Sequence, residues 1–233
     1  MRRRRLLISV GLVLGFLALI VVGLVAMVKR PPSFYQQAEM PPGETRTELS
    51  ERAVSQWFQI SSDLNDPQWN LTFSADQINA FFQERYYNFG GDDNLPDGWH
   101  EPRVKIEDGK VRFGVRMGSG LYSTVMSLEI KLWKVADEVN TLAMEIVSLQ
   151  AGSLPLSTGT LLDRISEAAR RENIEISWYR KDGHPVAILR FQADLTRPTF
   201  QFDQIELRNG ELRIAGRATD LLALPPPRVV PKP

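Results

Sequence analysis

Metal binding and nucleophilic catalysis draw first on cysteine and histidine, and this chain has no cysteine and only His100 and His184, far apart in sequence. Zinc sites are built mostly from thiolates and imidazoles, four donors to a structural site, so the residues supply no recognisable metal centre. There is no G-x-S-x-G elbow and no G-x-x-x-x-G-K-S/T phosphate cradle, so neither an activated serine nor a bound cofactor is expected. The acidic run Gly91-Asp92-Asp93-Asn94-Leu95-Pro96-Asp97-Gly98 suggests calcium. It breaks the EF-hand pattern, because proline stands at a ligand position and the closing glutamate is missing. A solvated loop is its default reading. One catalytic option remains open on composition, a carboxylate pair drawn from the 28 acidic residues, as in glycosidase-like hydrolysis.

Apolar chemistry is better represented. Gly152-Ser153-Leu154-Pro155-Leu156 places two leucines around a proline, just before a segment carrying Leu161, Leu162 and Ile165. These five side chains are candidates to line an apolar ligand groove between a sheet and a helix. The alternative is ordinary core beneath a loop. Met117, Leu121 and Tyr122 add apolar bulk elsewhere.

The segment that sets the context is Leu6–Val28, uncharged and fenced by Arg2–Arg5 before it and Lys29-Arg30 after it. As a helix it would be roughly 34 Å long, enough to cross a bilayer core of about 30 Å. A cleaved signal peptide has a shorter apolar stretch and a small-x-small site, and Ala26-Met27-Val28-Lys29-Arg30 is a poor match. The greater basic charge before the span predicts a cytoplasmic N-terminus and an external remainder, in the plasma membrane. Gly11 and Gly15 have the spacing that lets two membrane helices meet, which would give a homodimer through the anchor. Glycine is also simply common in such helices.

Six of the 28 basic residues, and none of the 28 acidic ones, lie in the first 30 positions, leaving an external part with six excess acids. Nucleic-acid binding wants a basic stripe, so it is not expected. Four further parts follow the cytoplasmic residues 1–5: the span 6–28, a Pro-rich stalk 29–46, a domain 47–222, and a Pro-rich disordered tail 223–233.

Within the domain, spacing predicts a helix from about Glu48 to Asp63 and a short strand over Trp69–Phe73. Ser74-Ala75-Asp76-Gln77 is a capping box, with Phe73 and Ile78 at the staple positions, so a helix should start at Ala75. Alternation then predicts strands around Val104–Ile106, Val111–Val115, Leu128–Leu132, Leu142–Ile146, Ile174–Tyr179, Val186–Leu195, Ile205–Leu207 and Leu212–Ile214. A helix over Thr160–Arg171 interrupts them. The hairpin sequences VKIEDGKVRFGVR (104–116) and IELRNGELRIAGR (205–217) align without gaps, through duplication or through convergent turn chemistry. The pattern gives an α+β class: an N-terminal transmembrane helix, then a curved antiparallel sheet with two or three helices packed on it.

In the order of its motifs the chain resembles the YpmS-like family of membrane-anchored bacterial proteins. The likeness rests on Leu71, Thr72, Gln77, Ile78 and Asn79, and on Gly152, Leu154, Pro155 and Leu156, with Ser157 departing from the proline expected there. The resemblance implies an extracytoplasmic α+β domain related to lipid-binding long-sheet folds, with no catalytic residues. The expectation is therefore a non-catalytic binding or scaffold module of the cell envelope, holding a lipid or docking an envelope protein. An envelope hydrolase is the alternative.

Overall fold

A computed structural model describes residues 2–63, 68–86, 95, 98–107, 109–172, 174–191, 200–208 and 210–218. The architecture is α+β, as the pattern predicts, and its antiparallel strands divide into an open sheet of seven and a smaller sheet of three.

Helix α1 (Arg2–Lys29) contains the apolar segment and presents Phe16–Met27 without tertiary cover. It is long and apolar enough to cross a membrane, and is compatible with a single-pass anchor. The next residues do not form an extended stalk. A one-and-a-half-turn helix α2 (Ser33–Gln37) buries Phe34 and Tyr35. Two adjacent aromatics give this Pro-flanked stretch enough apolar area to dock, at roughly 1.5–3 kcal/mol for a fully buried large side chain. Helix α3 (Glu44–Asp63) starts a turn earlier than its apolar spacing indicates.

Strand β1 (Trp69–Ser74) leads directly into α4 (Ala75–Glu84). The capping box forms as read: Gln77 N donates to Ser74 Oγ at 3.0 Å, and Ser74 N donates to Gln77 Oε1 at 2.9 Å. Helix α3 lies along α4, with ion pairs Arg46–Glu84 (2.7 Å) and Arg85–Glu51 (3.0 Å) between them. Strands β2 (Trp99–Glu107), β3 (Lys110–Met117), β4 (Thr124–Lys134) and β5 (Thr141–Ala151) form a meander, and the short β6 (Leu154–Pro155) folds back on β5. Helix α5 (Gly159–Arg171) precedes β7 (Glu175–Lys181) and β8 (His184–Arg190), and β8 joins β5. Strands β9 (Phe200–Arg208) and β10 (Glu211–Ala218) pair with β1 in a separate three-stranded sheet.

Turn chemistry follows the sequence. Asp182 and Gly183 both have positive φ (52° and 84°) in the two-residue β7–β8 turn, as a type I′ hairpin requires. Gly109 and Gly210 have φ of 74° and 79° at matching points of the two similar hairpins. Their aligned arginines differ in reach: Arg112 pairs with Glu107 of its own hairpin and also with Glu129 of β4, whereas Arg213 binds Glu211 of its own hairpin. Asp108 and Asn209, most of the acidic run, the end of the 186–195 segment and the Pro-rich tail lie outside the described residues.

Candidate functional site

The two faces of the seven-stranded sheet differ sharply, and strand register says which residue is on which. The pairings Lys110↔Lys131↔Glu145 and Arg112↔Glu129 put one charged row on one face. Arg112 Nε lies 2.7 Å from Glu129, Lys110 3.5 Å from it, Lys131 3.8 Å from Glu145, and His184 Nδ1 2.7 Å from Glu145. Burial works against ionisation of Glu129, but the hydrogen bond and charge of Arg112, with the charge of Lys110, hold its carboxyl below the ordinary carboxylate value. Glu145 is buried and already engaged by two basic side chains. A hydrolytic pair needs two carboxylates facing one substrate bond; here each is turned to basic side chains across the sheet, the geometry of a structural ladder.

Nearer α1, α2 covers this polar face. Phe34 and Tyr35 sit over Gly114 and pack with Val125, and a Cβ at Gly114 would come within 2.7 Å of the Tyr35 ring. The Arg103 guanidinium stacks 4.4 Å from the Tyr35 centroid, and Arg103 Nη1 donates to Tyr35 O at 2.8 Å.

The opposite face is apolar. Its cross-strand rows are Phe113↔Leu128↔Leu149, Val111↔Ile130↔Ile146, Val115↔Met126↔Ala151 and Leu132↔Met144↔Ala187↔Trp178. At the end away from α1, this face is covered. Val104, Ile106 and Leu207 form a buried cluster against which Ile78, Val111, Leu132 and Leu212 pack. At the β7 side, α5 lies over it, with Trp178 Nε1 donating to Ser166 Oγ at 2.8 Å. Between these covers, Phe113, Met126, Leu128, Ile130, Met144 and Leu149 are only partly buried. They make an apolar track that runs along β3–β5 towards the end where α1 attaches.

Of the five sequence candidates, Leu161, Leu162 and Ile165 are partly buried on α5, which bounds one side of this track. Leu154 pairs with Ala151 at the α1 end, and Leu156 N donates to Leu149 O at 2.8 Å while its side chain stays exposed. The five residues therefore do not form one lining; they flank it. Two polar depressions occur on the surface, one of about 510 Å³ on the outer side of α5 beside Asp163, Arg164 and Glu167, the other beside Glu48, Arg52 and Gln77. Neither holds any of the five. Gly11 and Gly15 are one helical turn apart in α1, and their surroundings lie outside the described residues.

The central lining was in the sequence only as strand alternation. Alternation assigns Phe113, Leu128 and Met144 to a face, but whether that face is covered depends on where α4, β9 and α5 dock. No protein-family model matches the chain, and no curated protein or solved structure is significantly similar to it.

Proposed function

We propose that this protein is a single-pass, membrane-anchored module whose external domain holds an acyl chain or similar apolar ligand on the inner face of its seven-stranded sheet. The observation that carries this reading is the row Phe113, Met126, Leu128, Ile130, Met144 and Leu149, large apolar side chains left only partly buried along the inner face of the sheet. Ordinary cores close such rows, because apolar surface left in contact with water forgoes about 25 cal/mol per Å². Charge asymmetry about the span favours an N-terminus inside and the domain outside the plasma membrane. The resemblance to the YpmS-like family, carried by the Leu71–Asn79 and Gly152–Leu156 motifs, agrees with this placement.

Photo-crosslinking in membranes tests the reading. The full chain is reconstituted with a phospholipid bearing a diazirine on its acyl chain, irradiated, and its peptides mapped. Adducts on both α1 and the β4–β5 peptides are expected. Adducts confined to α1 would refute the ligand site and leave only the anchor.

A further inference from the structure

The junction between α1 and the domain is built as a fixed joint. The last carbonyls of a helix lack intrahelical donors, and here the domain supplies them. Ser153 donates to Met27 O from its N (2.9 Å) and its Oγ (3.0 Å), and Thr124 Oγ1 donates to Val28 O at 2.6 Å. Lys29 Nζ donates to the carbonyls of Leu121 and Ser123. Gly152, with φ +60°, lets the β5–β6 turn close on the helix end; a Cβ there would overlap the Met27 and Val28 carbonyl oxygens.

Beside this joint stands a small preformed loop. Gly118 N donates to Gly98 O at 2.9 Å, Tyr122 N to Ser119 O at 3.1 Å and Ser123 Oγ to Gly120 O at 3.0 Å, closing a single 3-10 turn over Gly120–Tyr122. The turn spends this order on presenting Leu121 and Tyr122 outward, 88% and 91% exposed. They are the two most exposed large apolar side chains among the described residues, more so than those of α1 itself.

We propose that the 118–123 loop is a second membrane contact. It rests on the reading of α1 as the span. Because Lys29, the residue after the apolar segment, binds the loop's own carbonyls, the loop stands level with the point where α1 leaves the bilayer. Leu121 then enters the boundary between headgroups and acyl chains of the same leaflet, and Tyr122 takes the interfacial position favoured by amphipathic aromatics. Two contacts and a rigid joint fix the tilt of the domain. They hold the α1 end of the apolar track against the lipid surface.

The absence of cysteine makes every introduced cysteine a unique labelling site. Nitroxide is attached at Leu121→Cys, Tyr122→Cys, Val22→Cys and Ala136→Cys in the full chain, reconstituted in phosphatidylethanolamine/phosphatidylglycerol vesicles. Oxygen partitions into the bilayer and nickel chelates into water, so their collision ratio reports depth. The ratio at 121 should be several-fold above that at Ala136, in the exposed β4–β5 turn, and its logarithm should share the sign of that at Val22; 122 should fall between 136 and 121. Values at 121 and 122 equal to that at 136, with Val22 buried in lipid, would overturn the second contact and leave the anchor standing. A water-like Val22 would overturn both.

Discussion

Asn79 offers the sharpest test of how the sheet is held. It stands on α4, is 2% exposed, and treats the outer edge of β2 as a neighbouring strand would. Its Nδ2 donates to Val104 O at 2.7 Å and its Oδ1 accepts from Val104 N at 2.8 Å. Asn79→Ala removes both bonds and strands a buried N–H and C=O. With each of the two orphaned groups costing about 1–3 kcal/mol, a loss of about 2–6 kcal/mol is expected. That is a large share of a total stability of about 5–15 kcal/mol. Asn79→Asp separates hydrogen bonding from shape. A neutral carboxyl can still donate to Val104 O and accept from Val104 N, but a carboxylate opposes that carbonyl, so the native pKa rises above its unfolded value of about 3.9. A raised native pKa means the variant keeps near-native stability at low pH and loses it as pH climbs through that value. Urea unfolding of the full chain in detergent, from pH 3.5 to 8 and taken as the difference from wild type, measures both. Asn79→Ala within about 0.5 kcal/mol of wild type, a surface-like effect, or Asn79→Asp with no pH-dependent difference, would refute the reasoning.

Gly152→Ala should loosen the joint between anchor and domain. It forces an alanine into left-handed backbone, costing about 1–2 kcal/mol, and drives a methyl into the Met27 and Val28 carbonyls. Distances between spin labels at Val22 and Ala136 should broaden from one narrow population to a wide one. Gly114→Ala places a methyl 2.7 Å from Tyr35 Cδ2 and 3.2 Å from Phe34 Cζ. Overpacking of this kind costs about 1–3 kcal/mol, and faster proteolysis near α2 would report the displaced helix. Glu129 has a depressed native pKa, so its contribution is complete above the unfolded carboxyl value of 4.5 and is lost as pH falls through the lower native one. Glu129→Gln should therefore show a shallower acid transition than wild type in a pH-dependent thermal melt.

Local rules were readable where one residue decides a local geometry. Ser74 and Gln77 announced the start of α4, because a cap depends on donors and acceptors within four residues. Period-two alternation likewise gave the strands of an α+β fold. Features that depend on distant partners stayed hidden. Nothing near Pro31-Pro32 reveals that Phe34 and Tyr35 find a glycine-floored seat at Gly114, so that segment read as a stalk. Asn79 was visible only as part of a motif; its pairing with β2 needs the docked helix. The candidate site shows the same division. Leu161, Leu162 and Ile165 were recognised by helical spacing, but that the β3–β5 stretch stays only partly buried depends on α4, β9 and α5 docking over other parts of that face.

The central claim is that the inner face of the sheet holds lipid. Benzoylphenylalanine replaces Leu128 on that face or Lys131 on the charged face of the same strand, in the full chain, in living cells. After irradiation the adducts are identified by mass spectrometry. The account predicts a phospholipid or fatty-acyl adduct at 128 and none at 131. No lipid adduct at 128, or equal labelling at both positions, would contradict it.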